Sequence, residues 1–161
     1  MPNEEQQEIK ISRFLSKDRI LILHGRQNKE DVLNALIDLF AKVPDIGARD
    51  DIAWGIFHRE GLMTSGIGNG IAVPHFRLPA LDESYLAIAV CPDGIRDYHT
   101  PDGQVVKLVF MIIAGKKQKT FHVQMVARIA KTFFDGRLKA AFLACSEPEN
   151  CMKILLHEEE S

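Results

Sequence analysis

The sequence lacks several features that mark specialised classes of protein. It has only three cysteines, Cys91, Cys145 and Cys151, whose odd number and spacing fit neither a disulfide framework nor a CxxC metal site. No apolar run approaches the roughly 18 residues that a transmembrane helix needs, and the acidic start of the chain is unlike a signal peptide. We therefore expect a cytoplasmic protein with no segment inserted directly in a membrane.

The chain also lacks an excess of either charge. Its 20 Lys and Arg residues nearly balance its 22 Asp and Glu residues, and the formal net charge is −2. Binding to a nucleic-acid backbone needs a concentrated basic face, so we expect no nucleic acid as partner. A length of 161 residues, with 46% hydrophobic and 26% charged residues, is typical of one ordinary globular domain.

Helical and strand patterns alternate in the first part of the chain. Residues 1–10 are mostly polar, and we expect them to be flexible. Residues 20–23 are an apolar run typical of a buried strand, and apolar residues recur at helical spacing from Val32 to Val43, after the capping residue Asn28. A second helix is expected from about Asp50 to Glu60, with Gly61 ending it.

The second part of the chain carries more strands. We expect a short strand at 71–73 and two longer ones at 85–90 and 105–113. Between the longer strands lies a turn-rich excursion through Pro92-Asp93-Gly94 and Pro101-Asp102-Gly103. Helices are expected from Thr120 to Phe134 and after a capping box formed by Ser146 and Glu149. The pattern predicts an α/β fold class, with a mixed β-sheet flanked by helices on both faces in a single domain.

The segment from Arg59 to His75 is the most informative for chemistry. Glycines at alternate positions allow tight turns, and Pro74 biases the residue before it towards extended geometry. Together they would present His75 in a narrow range of orientations, as nucleophilic or acid–base chemistry requires. Taken alone, a histidine at a strand end is more often structural. The dinucleotide fingerprint fails, because Ile71 stands where it needs glycine or alanine.

A second histidine stands at the expected start of a helix. If Thr120 caps this helix, His122 lies in its first turn, where free backbone amides favour an anion. His122 could then bind a phosphate, although an exposed residue without a role is the commoner case. A metal-dependent hydrolase built on His58, His75, His99 and His122 is disfavoured, since no HxH or HxxxH pair occurs.

These residues resemble enzyme IIA (EIIA) of the bacterial phosphotransferase system, of the fructose/mannitol and nitrogen-regulatory type. The resemblance rests on Gly66-Ile67-Gly68-Asn69-Gly70-Ile71-Ala72-Val73-Pro74-His75, with Arg59-Glu60 upstream and His122 downstream. It implies an EIIA type-2 domain over residues 11–157. The sequence departs from the family's pattern at Phe76, where a small residue is usual, and at Thr64-Ser65, which reverses a familiar order.

The resemblance implies specific roles for these residues. His75 would be the phosphorylated nucleophile, His122 the second histidine of the site, and Arg59 the cation that supports the phosphoryl group. We expect the phosphate environment to include Thr64, Ser65, Gly68 and Asn69. The resemblance implies neither a cofactor nor a metal. We further expect a backbone carbonyl to hold Nδ1 of His75, so that Nε2 attacks.

The resemblance also implies partners. The phosphoryl donor would be HPr, the histidine phosphocarrier protein, or its nitrogen-branch homologue. The acceptor would be an EIIB domain or a regulatory target. No fused transporter segment precedes Ser161, which favours the nitrogen-type branch over a sugar-specific EIIA. A regulatory binding module that transfers no phosphate is a further alternative.

Overall fold

The computed structural model describes residues 9–47, 49–116 and 120–160. Two short 3-10 helices, Ile11–Phe14 and Lys17–Arg19, come first. The strands are β1 (Ile20–Ile22), β2 (Gly66–Gly68), β3 (Ile71–Ala72), β4 (His75–Arg77), β5 (Tyr85–Ile95) and β6 (Val106–Ala114). The helices are α1 (Lys29–Phe40), α2 (Arg49–Leu62), α3 (Phe121–Phe133), α4 (Arg137–Leu143) and α5 (Pro148–Glu160).

The six strands form one mixed sheet in the order β1, β5, β6, β3, β2, and β4 also pairs with β6. Strands β5 and β6 are antiparallel, whereas β1 runs parallel to β5, and β3 and β4 run parallel to β6. Pro74 separates β3 from β4, and its carbonyl accepts a hydrogen bond from the amide of Ile112 at 2.9 Å. His75 therefore begins a strand, whereas the sequence had suggested that it closes one.

Two apolar cores lie on opposite faces of this sheet. Alternate side chains of a strand point to opposite faces, so Leu86 and Ile88 of β5 enter one core, while Ala87 and Ala89 enter the other. Helices α3, α4 and α5 cover the first core, and α1 and α2 cover the second. The expected α/β class, with helices on both faces of a mixed sheet, is confirmed.

Local sequence accounts for several element boundaries. The side chain of Asn28 accepts a hydrogen bond from the amide of Asp31 at 2.8 Å, which confirms it as the cap of α1. Helix α2 continues through Gly61 to Leu62, so this glycine does not end it. Helix α5 begins at Pro148, a residue suited to the first helical position, so Ser146 lies one residue too early to cap it.

The predicted loop at Pro92-Asp93-Gly94 is wrong, because these residues continue β5. The segment that follows β1 hydrogen-bonds to them, although the register with β6 shifts between Val90 and Ile95 and Gly94 keeps a positive φ of 86°. Gly94 accepts a hydrogen bond from the amide of Gln27 at 3.1 Å, and the Asp93 carboxylate accepts one from the amide of Gly25 at 2.7 Å. Long-range pairing thus overrides the local turn preference of a Pro-Asp-Gly sequence.

Most of the expected flexible segment 1–10 lies outside the described residues. Of its last two residues, Ile9 packs against the first core, and its carbonyl accepts a hydrogen bond from Nε of Arg128 at 3.0 Å. Within the described ranges, no helix combines the length and apolar character needed to cross a bilayer.

Candidate functional site

Two hydrogen bonds hold the ring of His75 at the start of β4. Its Nδ1 lies 3.2 Å from the carbonyl oxygen of Val73, and Nη2 of Arg59 lies 2.9 Å from its Nε2. A carbonyl oxygen only accepts, and a guanidinium only donates. Nδ1 therefore carries the ring proton, and the lone pair of Nε2 faces Arg59. This is the tautomer expected of a nucleophilic Nε2.

His122 lies directly against His75. The two rings stack with their centroids 4.8 Å apart and an angle of 13° between their planes. His122 is the second residue of α3, and the preceding Phe121 anchors this end of the helix by packing edge-on against Phe14 at 4.5 Å. Thr120 occupies the cap position but makes no capping hydrogen bond with its side chain.

Arg59 reaches His75 from the last turn of α2, across a pocket of about 290 Å³. The polar lining of this pocket consists of Arg59, Glu60, Thr64, Ser65 and His75, and its apolar lining consists of Ile56, Leu62 and Met63. The structure therefore brings His75, Arg59, Thr64 and Ser65 together, as the sequence predicts. Leu62 and Met63, at the mouth of this pocket, are 75% and 78% exposed.

The surroundings of His75 favour the neutral imidazole. Its pKa lies below the ordinary value of 6.5, mainly because burial penalises the charged form, and the positive charges of Arg59 and His122 add to this effect. The hydrogen bond to Val73 and the carboxylate of Glu60 act in the opposite direction without reversing it. The neutral ring is the form that can attack phosphorus through Nε2.

Gly68 and Asn69 lie elsewhere, at the turn between β2 and β3. The amide of Asn69 donates to the carboxylate of Asp102 at 2.8 Å, and its carbonyl accepts from Nζ of Lys139 at 2.7 Å. Asn69 has a positive φ of 54° and Gly68 one of 99°. Neither lines the pocket at His75. The described contacts make this turn a structural link to its neighbours rather than a wall of the site.

A polar cluster behind the pocket was not anticipated from the sequence. The Glu60 carboxylate, whose side chain is only 7% exposed, contacts Nζ of Lys29 at 2.7 Å and the hydroxyl of Tyr98 at 3.4 Å. The Tyr98 hydroxyl also hydrogen-bonds the hydroxyl of Ser65. Lys29 and Tyr98 are far in the chain from Glu60 and Ser65, and only the latter two lie within the segment that the sequence singles out. The sequence therefore offered no signal that would join them.

Phe76, the large residue directly after the histidine, packs on α2. A methyl group added at Gly55 would come within 2.2 Å of the Phe76 ring, so the ring occupies space that any larger residue at position 55 would need. The departure from the family's small residue is therefore accommodated by a glycine in the facing helix.

The other histidines and the cysteines take structural positions. His58 stacks on the exposed Trp54 with ring centroids 4.7 Å apart, and His99 accepts the hydroxyl of Thr64 through its backbone carbonyl at 2.7 Å. Across residues 9–47, 49–116 and 120–160, no three His, Cys, Asp or Glu side chains are grouped to hold a metal ion. All three cysteines are buried and free, and burial raises the pKa of Cys91 to about 12.

Comparison with known proteins identifies the family and the fold. Residues 13–158 match the family described as "Phosphoenolpyruvate-dependent sugar phosphotransferase system, EIIA 2". A fructose-specific EIIA component of Haloferax volcanii is 26% identical over 90% of this chain and 94% of its own. A nitrogen regulatory protein of Bradyrhizobium diazoefficiens is 30% identical over 75% of this chain and 80% of its own.

A longer relative shares the same segment. The fructose-specific EIIABC component of Bacillus subtilis is 26% identical over 91% of this chain, which spans only 23% of that protein. Solved structures show the same fold. The nitrogen regulatory protein IIA-Ntr of Neisseria meningitidis superposes with a TM-score of 0.78 at 22% identity, covering 90% of this chain and 98% of its own. IIA mannitol of Escherichia coli gives 0.70 at 19% identity, covering 87% and 97%.

Proposed function

The chain belongs to the EIIA 2 family of the phosphoenolpyruvate-dependent sugar phosphotransferase system, and from this premise we propose that it carries a phosphoryl group on Nε2 of His75. The observation that carries the proposal is the orientation of the His75 ring. Val73 fixes the proton on Nδ1, and Arg59 faces the lone pair of Nε2 at 2.9 Å. A phosphoryl group entering along that lone pair would meet a cation already in place.

The proposed step is an in-line transfer. The N–P bond of the donor's phosphohistidine breaks as a new N–P bond forms to Nε2 of His75. The proton on Nδ1 stays where it is, held by the Val73 carbonyl, so no general base is needed. Such transfers need little covalent help from the protein beyond positioning and charge stabilisation.

Arg59 and His122 supply that stabilisation in this proposal. The guanidinium now occupies the direction from which phosphorus must approach, so it moves aside and bonds the phosphoryl oxygens once the N–P bond forms. His122, stacked on the acceptor ring, is close enough to donate to the same group. Hydrogen bonds from such donors to a charged group contribute about 1.5 to 3 kcal/mol each.

The surroundings of the pocket fit a protein as phosphoryl donor. Leu62 and Met63 are largely exposed at its mouth, and Val123, next to His122, is 58% exposed. Exposed apolar side chains grouped at a site are typical of surfaces that bind other proteins. We propose that the donor is HPr, the small histidine phosphocarrier, or its nitrogen-branch homologue.

For the phosphoryl group bound to His75 we propose a regulatory use of the nitrogen type, supported by the 30% identity with the nitrogen regulatory protein. A second candidate is sugar uptake through a separate EIIB domain, which the similarity to fructose-specific components favours. Transfer of labelled phosphate from this protein to an EIIB domain at a rate that keeps pace with sugar uptake would establish the second candidate instead.

The central test is to label the protein with phosphoenolpyruvate, enzyme I and HPr, and then to map the label. We expect one acid-labile, alkali-stable phosphate in the wild type, on His75. His75→Ala should take up none, while the matched variant His24→Ala, at an exposed residue after β1, should be labelled like the wild type. A folded His75→Ala protein that still accepts phosphate would overturn the proposal.

A further inference from the structure

Glu60 creates an electrostatic problem for a phosphate-binding pocket. It is the residue next to Arg59, and its carboxylate lines the same pocket as His75. A buried, unpaired carboxylate there would repel a phosphoryl dianion and would compete for the Arg59 guanidinium. The pocket can remain cationic only if another group neutralises this carboxylate.

Lys29 is that group. Its Nζ lies 2.7 Å from Oε2 of Glu60, and the two side chains are only 20% and 7% exposed. Lys29 is also the first residue of α1, where the helix dipole disfavours a cation. Its position is therefore better explained by Glu60 than by the helix that carries it.

Further contacts hold Lys29 and Glu60 in place at the wall of the pocket. The amide of Ser65 donates to Oε2 of Glu60 at 3.3 Å, and the Tyr98 hydroxyl donates to Oε1. Nζ of Lys29 lies 4.5 Å above the centre of the Tyr98 ring. The backbone amide of Lys29 donates to the carboxylate of Asp97 at 2.7 Å. These contacts fix the carboxylate of Glu60 in the wall of the pocket.

We propose that Lys29 is a positioning residue, which acts through Glu60 to keep the pocket at His75 cationic and receptive to a phosphoryl group. This role rests on the proposed phosphorylation of His75. It differs from a purely structural salt bridge, because it predicts how the charge at His75 responds when either partner is removed.

The direction of that response follows from the charges around the pair. His75 faces Arg59, Glu60 and His122, and Lys29 and Glu60 border a second groove together with Glu30 and Asp97. Without Lys29, the negative charge of Glu60 is uncompensated, and it raises the pKa of His75 and disfavours the phosphorylated form. Without Glu60, the positive charge of Lys29 remains, and the pKa of His75 falls.

The test combines Lys29→Gln, Glu60→Gln and the double variant, with two measurements on each protein. The first is titration of His75 by NMR. The second is the fraction phosphorylated at equilibrium with a limiting supply of phosphorylated HPr. We expect Lys29→Gln to raise the pKa of His75 by about 0.5 to 1 and to lower the ratio of phosphorylated to free protein about three- to tenfold. Glu60→Gln should shift the pKa downwards, and the double variant should return close to the wild type.

Two controls separate this proposal from simpler explanations. Lys29→Arg should retain the wild-type behaviour, and Lys153→Gln should change neither measurement, since it removes the same charge from an exposed pair on α5. An unchanged titration in Lys29→Gln, or a pKa of His75 that stays raised when Glu60→Gln is added to Lys29→Gln, would overturn the proposal. If even the wild type takes up no phosphate, the proposed function fails, while the titration still decides the role of Lys29.

Discussion

The two ends of the glycine-rich segment 66–77 have different surroundings and different roles, although they belong to one sequence motif. At one end, Gly68 and Asn69 turn the chain between β2 and β3, beside Asp102 and Lys139. At the other end, His75 faces Arg59 and His122. The registers Ile71↔Leu108 and His75↔Ile112 place the ends four residues apart along β6, or about 13 Å.

Each end has a basic residue, and the partners of the two cations distinguish the ends. Nζ of Lys139 donates to the backbone carbonyl of Asn69, a group with no part in the proposed chemistry. Arg59 donates to the lone pair on Nε2 of His75, the atom proposed to take the phosphoryl group. A shared motif therefore does not imply a shared role, and we expect substitutions at the two ends to affect different measurements.

The largest effect should come from removing the cation at the histidine end. We expect Arg59→Met to slow phosphorylation of His75 about 100-fold, because it deletes the donor that faces the incoming phosphoryl group. The measurement is the initial rate of label uptake from phosphorylated HPr. The control is Arg137→Met, which breaks only an exposed pair with Glu158 and should keep the wild-type rate. An Arg59→Met protein with the control's rate would contradict the prediction.

A smaller effect is expected from the second histidine. His122→Ala should still be labelled on His75 but should pass the phosphoryl group to an EIIB domain about 10-fold more slowly, since one of two donors to the group is lost. Rapid-quench measurement of phosphate leaving the pre-labelled protein would show this. Equal rates in the variant and the wild type would remove His122 from the mechanism.

At the turn end, we expect a change in stability without a change in chemistry. Lys139→Met should lower the free energy of unfolding by about 1 kcal/mol, because the carbonyl of Asn69 loses a charged donor. Urea denaturation measures this loss, and the rate of phosphorylation should stay at the wild-type value. A stable variant with impaired phosphorylation would show that the turn takes part in the site after all.

The smallest effect concerns pH. Because burial and the neighbouring cations lower the pKa of His75, more than half of the imidazole should remain neutral at pH 6.5. The rate of phosphorylation should therefore fall by less than twofold between pH 7.5 and pH 6.5 and should fall more steeply below that range. Titration of the ring by NMR in the folded protein and in urea should give the lower midpoint for the folded protein. The opposite order would refute this reading of the site.

The sequence predicted the residues grouped at His75 better than it predicted the strands that hold them. His75, Arg59 and His122, which the resemblance to the family placed in one site, are in contact in the structure, and their roles in phosphoryl transfer stay predictions. The strand β4 and the extension of β5 through Pro92-Asp93-Gly94 were missed. Both depend on pairing with residues distant in the chain, which local turn preferences cannot report.

The sequence also misplaced two residues of the expected site and missed two others, because local sequence does not report contacts between distant residues. Gly68 and Asn69 share the motif with His75, and proximity in sequence suggested proximity in space. The extended backbone of β3 instead carries them to the opposite end of the segment. Lys29 and Tyr98 reach Glu60 from other elements, and nothing in their own sequence neighbourhoods marks them.

The contact between Phe76 and Gly55 has a consequence for the volume available beside the site. The aromatic ring fills the space that a side chain at position 55 of α2 would need. A larger residue at one of the two positions therefore requires a smaller one at the other. Gly55→Ala alone should strain the helix against the ring, and pairing it with Phe76→Gly should relieve that strain. Proteins of this fold with a bulky residue after the histidine that corresponds to His75 should accordingly have the smallest residue at the facing helix position.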